Sequence, residues 1–305
     1  MRTLLICHDD AALDREGLVR WLGSFSTFVG TVVIREPRGR LKKRIRRELS
    51  RVGYWRFLDV LAFRMYYKLA HARSDSRWER HELDRLRARF PDQPDAPESV
   101  VSSPNSPEAE AFVRDRQPDM VIARCKTLLR EQVFTIPRLG TYVMHPGICP
   151  EYRNAHGCFW ARATGDHDNV GMTLLRIDKG VDTGPVFGYF RVHADPAESH
   201  VVIQHRVVLE HLDAIRDRLL AIAAGRAAPL DTSGRESAAW GQPWFTAYIR
   251  MRAHGRKSQV RSQKYEVGTQ KHEIRSQTSE GRSQKSEPAA PRTSDFVLRT
   301  SKFQP

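Results

Sequence analysis

The chain has 305 residues, 40% of them hydrophobic, enough for a sizeable core in one large domain or two small ones. No signal peptide, no apolar run near the ~18 residues of a membrane-crossing helix, no CxxC pair and no zinc-type Cys/His spacing is present, which argues against an integral membrane protein, a disulfide scaffold or a zinc module. The net charge of +14 sits in two stretches, residues 35–90 with 18 Lys/Arg against 7 Asp/Glu and residues 256–305 with 11 against 5, so it bears on partners before chemistry.

Thr3 to Cys7 reads as a short buried strand, followed by His8-Asp9-Asp10 and an amphipathic helix from Ala11 to Leu22. This is a Rossmann-like opening without a phosphate loop. No glycine lies between Cys7 and Gly17, which disfavours a nicotinamide or nucleoside-triphosphate enzyme. Asp9, at the expected strand end, is a candidate substrate contact, with a helix cap as the plainer role. Phe28 to Ile34 is a second strand. Residues 37–92 then read as a helical insertion in which a basic helix runs into an aromatic one. Ile45, Leu49, Val52, Leu58, Leu61, Ala62, Met65 and Leu69 fall near one face, expected to pack on the domain. A second reading lays residues 38–69 on an anionic membrane surface through Lys42 to Arg47, with Trp55, Phe63 and Tyr66 as interfacial anchors. Nucleic-acid binding is disfavoured, because no recognisable reading module accompanies the charge. A cytoplasmic location with reduced thiols is expected, peripheral at the inner membrane surface under the second reading.

Further along, Ser99 to Ser102 reads as a strand, Pro107 to Arg116 as a helix capped by Ser106, and Asp119 to Ala123 as a buried strand ending in the loop Arg124 to Leu129. The apolar run Tyr142 to Met144 delivers His145 into a turn, and Met172 to Ile177 delivers Asp182 into another. An imidazole and a carboxylate at strand ends are the minimum set for moving a proton near neutral pH. Pro185 to Val192 pairs with Met172 to Ile177, and a long helix is expected from Glu198 to Ala223. Residues 1–225 are therefore read as the catalytic domain. Residues 226–257 form an aromatic C-terminal clasp around Trp240, Trp244, Phe245 and Tyr248. From Ser262 the seven-residue repeats SQKYEVG, TQKHEIR, SQTSEGR and SQKSEPA lack an a/d seam, so 258–305 are expected to be disordered.

Between Gly140 and Phe187 stand His145-Pro146, Pro150-Glu151-Tyr152-Arg153, Trp160-Ala161, Gly165-Asp166, Gly171-Met172-Thr173 and Asp178-Lys179-Gly180-Val181-Asp182-Thr183-Gly184. In this order they resemble the N-terminal catalytic domain of the folate-dependent formyltransferases, and the resemblance reaches back to about Pro118. It implies an α/β, Rossmann-like three-layer αβα formyltransferase fold, here with a basic helical insertion and a disordered tail. It also implies N10-formyltetrahydrofolate as formyl donor without a metal, and His145 and Asp182 as the catalytic pair. Folate contacts would come from Arg124, Lys126, Leu128, Asp178, Gly180 and Val181, and acceptor contacts from Arg153, His156 and Asp9. The family asparagine two residues before the histidine is Val143 here, and Asn154 is the nearest side-chain amide to replace it. Methionyl-tRNA formyltransferases carry a further folded C-terminal domain and formyltetrahydrofolate hydrolases a preceding regulatory one, neither read here. The expected acceptor is therefore a small-molecule amine, such as a nucleotide- or lipid-linked amino sugar. A non-catalytic folate-binding relative, a hydrolase and a basic adaptor are the alternatives.

The repeat segment offers too little apolar surface to contribute to folding. Truncation after Arg256 should leave the melting temperature unchanged in calorimetry, and a loss of several degrees would overturn this reading.

Overall fold

A computed structural model describes residues 1–36 and 41–253, with backbone alone at 41–44 and 47. The chain divides into the units Met1–Arg256 and Lys257–Pro305. The repeat segment lies outside the described residues.

Seven strands form one sheet: β1 (Arg2–His8), β2 (Thr27–Ile34), β3 (Glu98–Val101), β4 (Met120–Arg124), β5 (Thr141–His145), and, beyond a two-residue β6 (Arg153–Asn154), β7 (Gly171–Arg176) and β8 (Val186–Arg191), in the order β3-β2-β1-β4-β5-β7-β8. The first five of that order are parallel, and β7 and β8 add antiparallel. Strands buried on both faces read as continuous apolar runs, as TLLIC does. Leu5 and Cys7 point to one face with Ile122 and Met144, while Leu4 and Ile6 point to the other with Val32 and Val121.

Helices cover both faces, giving the three-layer αβα, Rossmann-like arrangement. The first face takes a wide π-type helical segment, Leu13–Leu18, which runs into α1 (Val19–Gly23), and the insertion α2 (Leu41–Val52), α3 (Tyr54–Ala70) and α4 (Ala72–Arg89) lies on the same side through Phe63, Leu83 and Leu86. The second face takes α5 (Pro107–Arg116) through Val113 and α6 (Glu131–Phe134) through Val133. The first is completed by α7 (Gly157–Thr164), α8 (Val202–Leu209) and α9 (Leu212–Ala223). Because the chain leaves β1 toward β2 and β3 and returns for β4 and β5 on the opposite side, the order reverses between β1 and β4. Such a reversal is where ligands enter sheets of this kind, and here it falls at the strand ends His8 and Arg124.

Two expectations are corrected. The single helix expected over Glu198 to Ala223 is two helices, α8 and α9. His211 leaves helical geometry at φ −112°, ψ 15° between them, its ring nitrogen Nδ1 in contact with the Val207 carbonyl. The expected packing face of the insertion is also wrong. Leu58, Leu61, Met65 and Leu69 are exposed, and α3 instead packs through Val60 and Phe63. α3 is apolar on two sides, so periodicity alone could not tell which one faces the core. Phe63 is thus a core residue and not an interfacial anchor, whereas Trp55 stands 82% exposed.

This assignment has a direct test in urea unfolding. Phe63→Ala should cost about 3–5 kcal/mol, whereas Leu61→Ala should stay within about 0.5 kcal/mol. Equal costs would mean that α3 is rotated from the orientation described.

Candidate active site

β5 ends at His145, and a chain reversal through Gly147 follows. The loop folds back so tightly that a Cβ at Gly147 or Gly157 would run into the Tyr152 carbonyl. That carbonyl lies 2.9 Å from His145 Nε2, and His145 Nδ1 lies 3.4 Å from Asp182 Oδ2. A carbonyl oxygen can only accept, so Nε2 carries a proton, and Nδ1 faces the Asp182 carboxylate. The sequence-predicted pair is therefore together, with His145 buried and Asp182 keeping 16% of its side chain accessible.

Asp182 is held by its own turn. Asp178 Oδ1 accepts from the Gly180 amide at 2.9 Å and from the Thr183 hydroxyl at 2.8 Å, and a side chain at Gly184 would collide with the Arg176 carbonyl. Asp178 and Gly180 thus build the turn. Asp182 adopts φ 52° and Asn154 φ 76°, both in the left-handed region. This geometry lets the Asn154 amide N–H reach Asp182 Oδ2 at 2.8 Å, so the same oxygen meets both Asn154 and His145. The Asn154 side chain turns elsewhere and donates to the Trp240 carbonyl at 2.5 Å. Arg153 donates to the Val181 carbonyl at 2.9 Å, tying the two loops together, and its Nε has no partner among the described residues. Val143 packs beside Cys149, Leu175 and Val186 and offers no hydrogen bond.

The clasp supports this loop from behind. β9 (Ala239–Trp240) pairs in parallel with β6. Trp240 stacks on Trp160 at 4.8 Å between ring centres and donates from Nε1 to the Glu151 carbonyl at 2.8 Å.

At the reversal point Arg124 is committed to Asp14, with Nε to Oδ1 at 3.0 Å, and to the Met144 carbonyl at 2.7 Å. Lys126 donates its backbone N–H to His8 Nε2 at 3.2 Å, and its side chain is exposed. Leu128 is exposed, and its carbonyl is held by Asn105 Nδ2 at 2.9 Å while Asn105 Oδ1 accepts from the Arg130 amide at 2.7 Å. Exposed Val181 belongs to the neighbouring turn, which joins α6 through the Lys179–Glu131 ion pair at 3.0 Å. Asp9 is taken up by Arg15 and Arg35 at 2.9 and 2.8 Å. His156 lies under the insertion, its Nδ1 3.0 Å from Gln204 Nε2, and lines a cavity of about 90 Å³ with Phe63, Tyr67, His200 and Gln242. Asn105, Asp14, Gln204 and Trp240 were not singled out as site residues, since each acts through a partner distant in sequence and carries no local motif.

Residues 91–218 match the formyl transferase family model. That segment of the chain is thus similar to a formyl transferase domain. Over 113 residues this domain region is 33% identical to the methionyl-tRNA formyltransferase of Thermotoga maritima, covering 37% of this chain and 34% of that protein. The corresponding protein of Thermus thermophilus is 30% identical over 135 residues, 40% of this chain and 44% of that one. The chain thus spans about a third to under a half of the length of these curated relatives. Among solved structures, a sugar N-formyltransferase from Shewanella aligns over 83% of this chain and 87% of its own at 12% identity and a TM-score of 0.48.

Several histidines around the candidate site have depressed proton affinity. Burial, and secondarily Lys126, lowers His8, while burial brings His156 down to about 4 and His200 to about 3. Burial also lowers His205. A histidine with a depressed folded pKa binds fewer protons than the unfolded chain, whose value is about 6.5. The stabilisation is thus complete above about pH 6.5 and is lost as pH falls toward about 4. Melting temperature should decline across that window, and His156→Gln should flatten the decline. An unchanged pH slope in the variant would contradict the assignment.

Proposed function

We propose that this chain transfers a formyl group from N10-formyltetrahydrofolate to the amine of a small polar molecule, with amino sugars as the acceptor class. The observation that carries the reading is the carboxylate oxygen shared between Asn154 N–H and His145 Nδ1, on a segment that matches the formyl transferase family model. The exposed apolar side chains of Leu128 and Val181, on adjoining loops with backbone polar groups beside them, fit the flat ring system of a folate. The strand ends near His8 and His205 offer hydrogen-bonding groups, with the Asp14 and Asp10 carboxylates near Glu79 and Arg124 and Lys126 near His205. Such a lining suits a hydroxyl-rich acceptor.

In this reaction the acceptor nitrogen adds to the formyl carbon and must shed a proton, while negative charge gathers on the formyl oxygen. The tetrahedral centre then collapses, the bond from the formyl carbon to N10 breaks, and N10 takes up a proton as tetrahydrofolate leaves. Asp182 Oδ1 has no hydrogen bond among the described residues and is the oxygen free to take the acceptor's proton, directly or through water. His145 supplies a hydrogen-bond donor for the developing oxyanion once its Nε2–H leaves the Tyr152 carbonyl. Val143 supplies no donor, so turnover should be slow, an oxyanion donor being worth about 100- to 1,000-fold.

Incubation with N10-formyltetrahydrofolate and a panel of amines, followed by release of tetrahydrofolate, tests the proposal. Release without any amine would point to a hydrolase, and binding without release to a non-catalytic relative. His145→Ala and Asp182→Ala should each lower turnover at least about 100-fold, with the double variant little worse than the poorer single.

Asn154 separates two roles. If it acts through its backbone N–H, Asn154→Gly, which keeps that donor and suits φ 76°, should retain most of the turnover. A loss of about 100-fold would return the catalytic role to the side-chain amide.

A further inference from the structure

Of the 13 exposed large apolar residues among the described residues, seven lie on α2 and α3: Ile45, Tyr54, Trp55, Leu58, Leu61, Met65 and Leu69. On α3, Tyr54, Leu58, Leu61, Met65 and Leu69 recur at helical spacing, so they form one stripe about 22 Å long at 1.5 Å rise per residue. The stripe is not a loose element awaiting the core. The opposite side of α3 is already docked through Val60 and Phe63, and Asp59 accepts from the Thr246 amide and hydroxyl at 3.0 and 2.6 Å. A helix fixed on its inner side and apolar on its outer side calls for an external partner.

Charge decides which partner. The sequence of α2 contains Lys42, Lys43, Arg44, Arg46, Arg47 and Arg51 against the single acid Glu48. Glu48 is withdrawn into an ion pair with Arg64 at 3.0 Å, and Asp59 is taken by Thr246. Arg46, Arg51, Arg64 and Lys68 are exposed. A second copy seated face to face on the stripe would bring two basic α2 helices together, and a nucleic acid would answer the charge while leaving the apolar stripe in water. A lipid surface with anionic headgroups answers both, since acyl chains take the apolar side chains and headgroups take the cations. No described helix is long and apolar enough to cross a membrane, so the contact is in the plane of the interface.

We propose that the outer face of α3, with basic α2 beside it, docks this protein on an anionic lipid surface, independently of the formyl-transfer reading. The test is co-sedimentation of the full chain with phosphatidylcholine vesicles with and without phosphatidylglycerol. Binding to the anionic vesicles should be at least about 10-fold tighter than to the neutral ones and should weaken with salt. The pairs Leu61→Ser with Met65→Ser, and Arg46→Glu with Arg51→Glu, should each weaken it at least about 10-fold with unchanged melting temperature. Three outcomes would overturn the proposal: no binding to anionic vesicles, binding that both pairs leave intact, or a solution dimer that the Leu61/Met65 pair dissociates. The last would assign the stripe to a second copy of the chain.

Discussion

The site depends on one carboxylate oxygen meeting two groups at once. Asp182 Oδ2 can accept from Asn154 N–H and face His145 Nδ1 only if two loops approach closely and both carry left-handed residues. Such backbone costs roughly 1–3 kcal/mol per residue with a side chain, and the surroundings must over-determine it. They do so from both sides. The Asp178–Thr183 hydrogen bond closes the turn beneath Asp182, while the β6–β9 pairing and the Asn154–Trp240 bond hold the loop above it. The clasp is therefore part of the site's scaffold, although neither it nor β9 lies within the segment that matches the family.

The insertion is joined to the same scaffold. Phe63 packs against Tyr248 at 5.4 Å, Tyr66 contacts the Tyr248 hydroxyl at 3.0 Å, and the Arg56 guanidinium lies 4.0 Å over the Trp244 ring. Trp244 in turn meets Trp160 at 4.5 Å, and Trp160 stacks on Trp240. A continuous run of aromatic contacts thus leads from α3 to the carbonyl that holds Asn154. The helix with the exposed apolar stripe and the loop that fixes Asp182 are braced against the same few rings, whose packing is specific in geometry as well as large in area.

Much of this was legible in the sequence, and the parts that were not share a cause. The strands were visible because burial on both faces makes them continuous apolar runs, and His145 and Asp182 because each sits at a strand end within an ordered motif. The orientation of α3 was not, since its two apolar sides satisfy the same period and only Val60 and Phe63, absent from the expected face, reach the core. Asn154 was noticed for its side-chain amide, yet what meets Asp182 is its backbone N–H, a group every residue but proline possesses. Its φ of 76° is the distinguishing property, and asparagine tolerates that conformation better than most residues. Asn105 and Asp14 were invisible because a single polar residue shows nothing of a partner 20 or more positions away.

For the proposed formyl transfer, Val143 would leave the site to find its oxyanion donor elsewhere, and most groups nearby are already engaged. The polar atoms nearby satisfy one another: Tyr189 donates to the Cys149 carbonyl, Arg235 pairs with Glu151, and the Asn154 amide serves Trp240. What remains, besides the unpartnered Arg153 Nε–H, is His145 Nε2–H, now given to the Tyr152 carbonyl. A neutral formyl oxygen gains little by displacing a neutral carbonyl, because the two are comparable acceptors. An oxygen acquiring charge is a stronger acceptor, and charge-assisted hydrogen bonds are roughly twice as strong as neutral ones. In the proposed reaction the exchange of acceptors would thus become favourable as the amine adds and not before. A donor held in this way contributes little to binding the ground state and most to the transition state, which is the distribution that raises turnover instead of affinity.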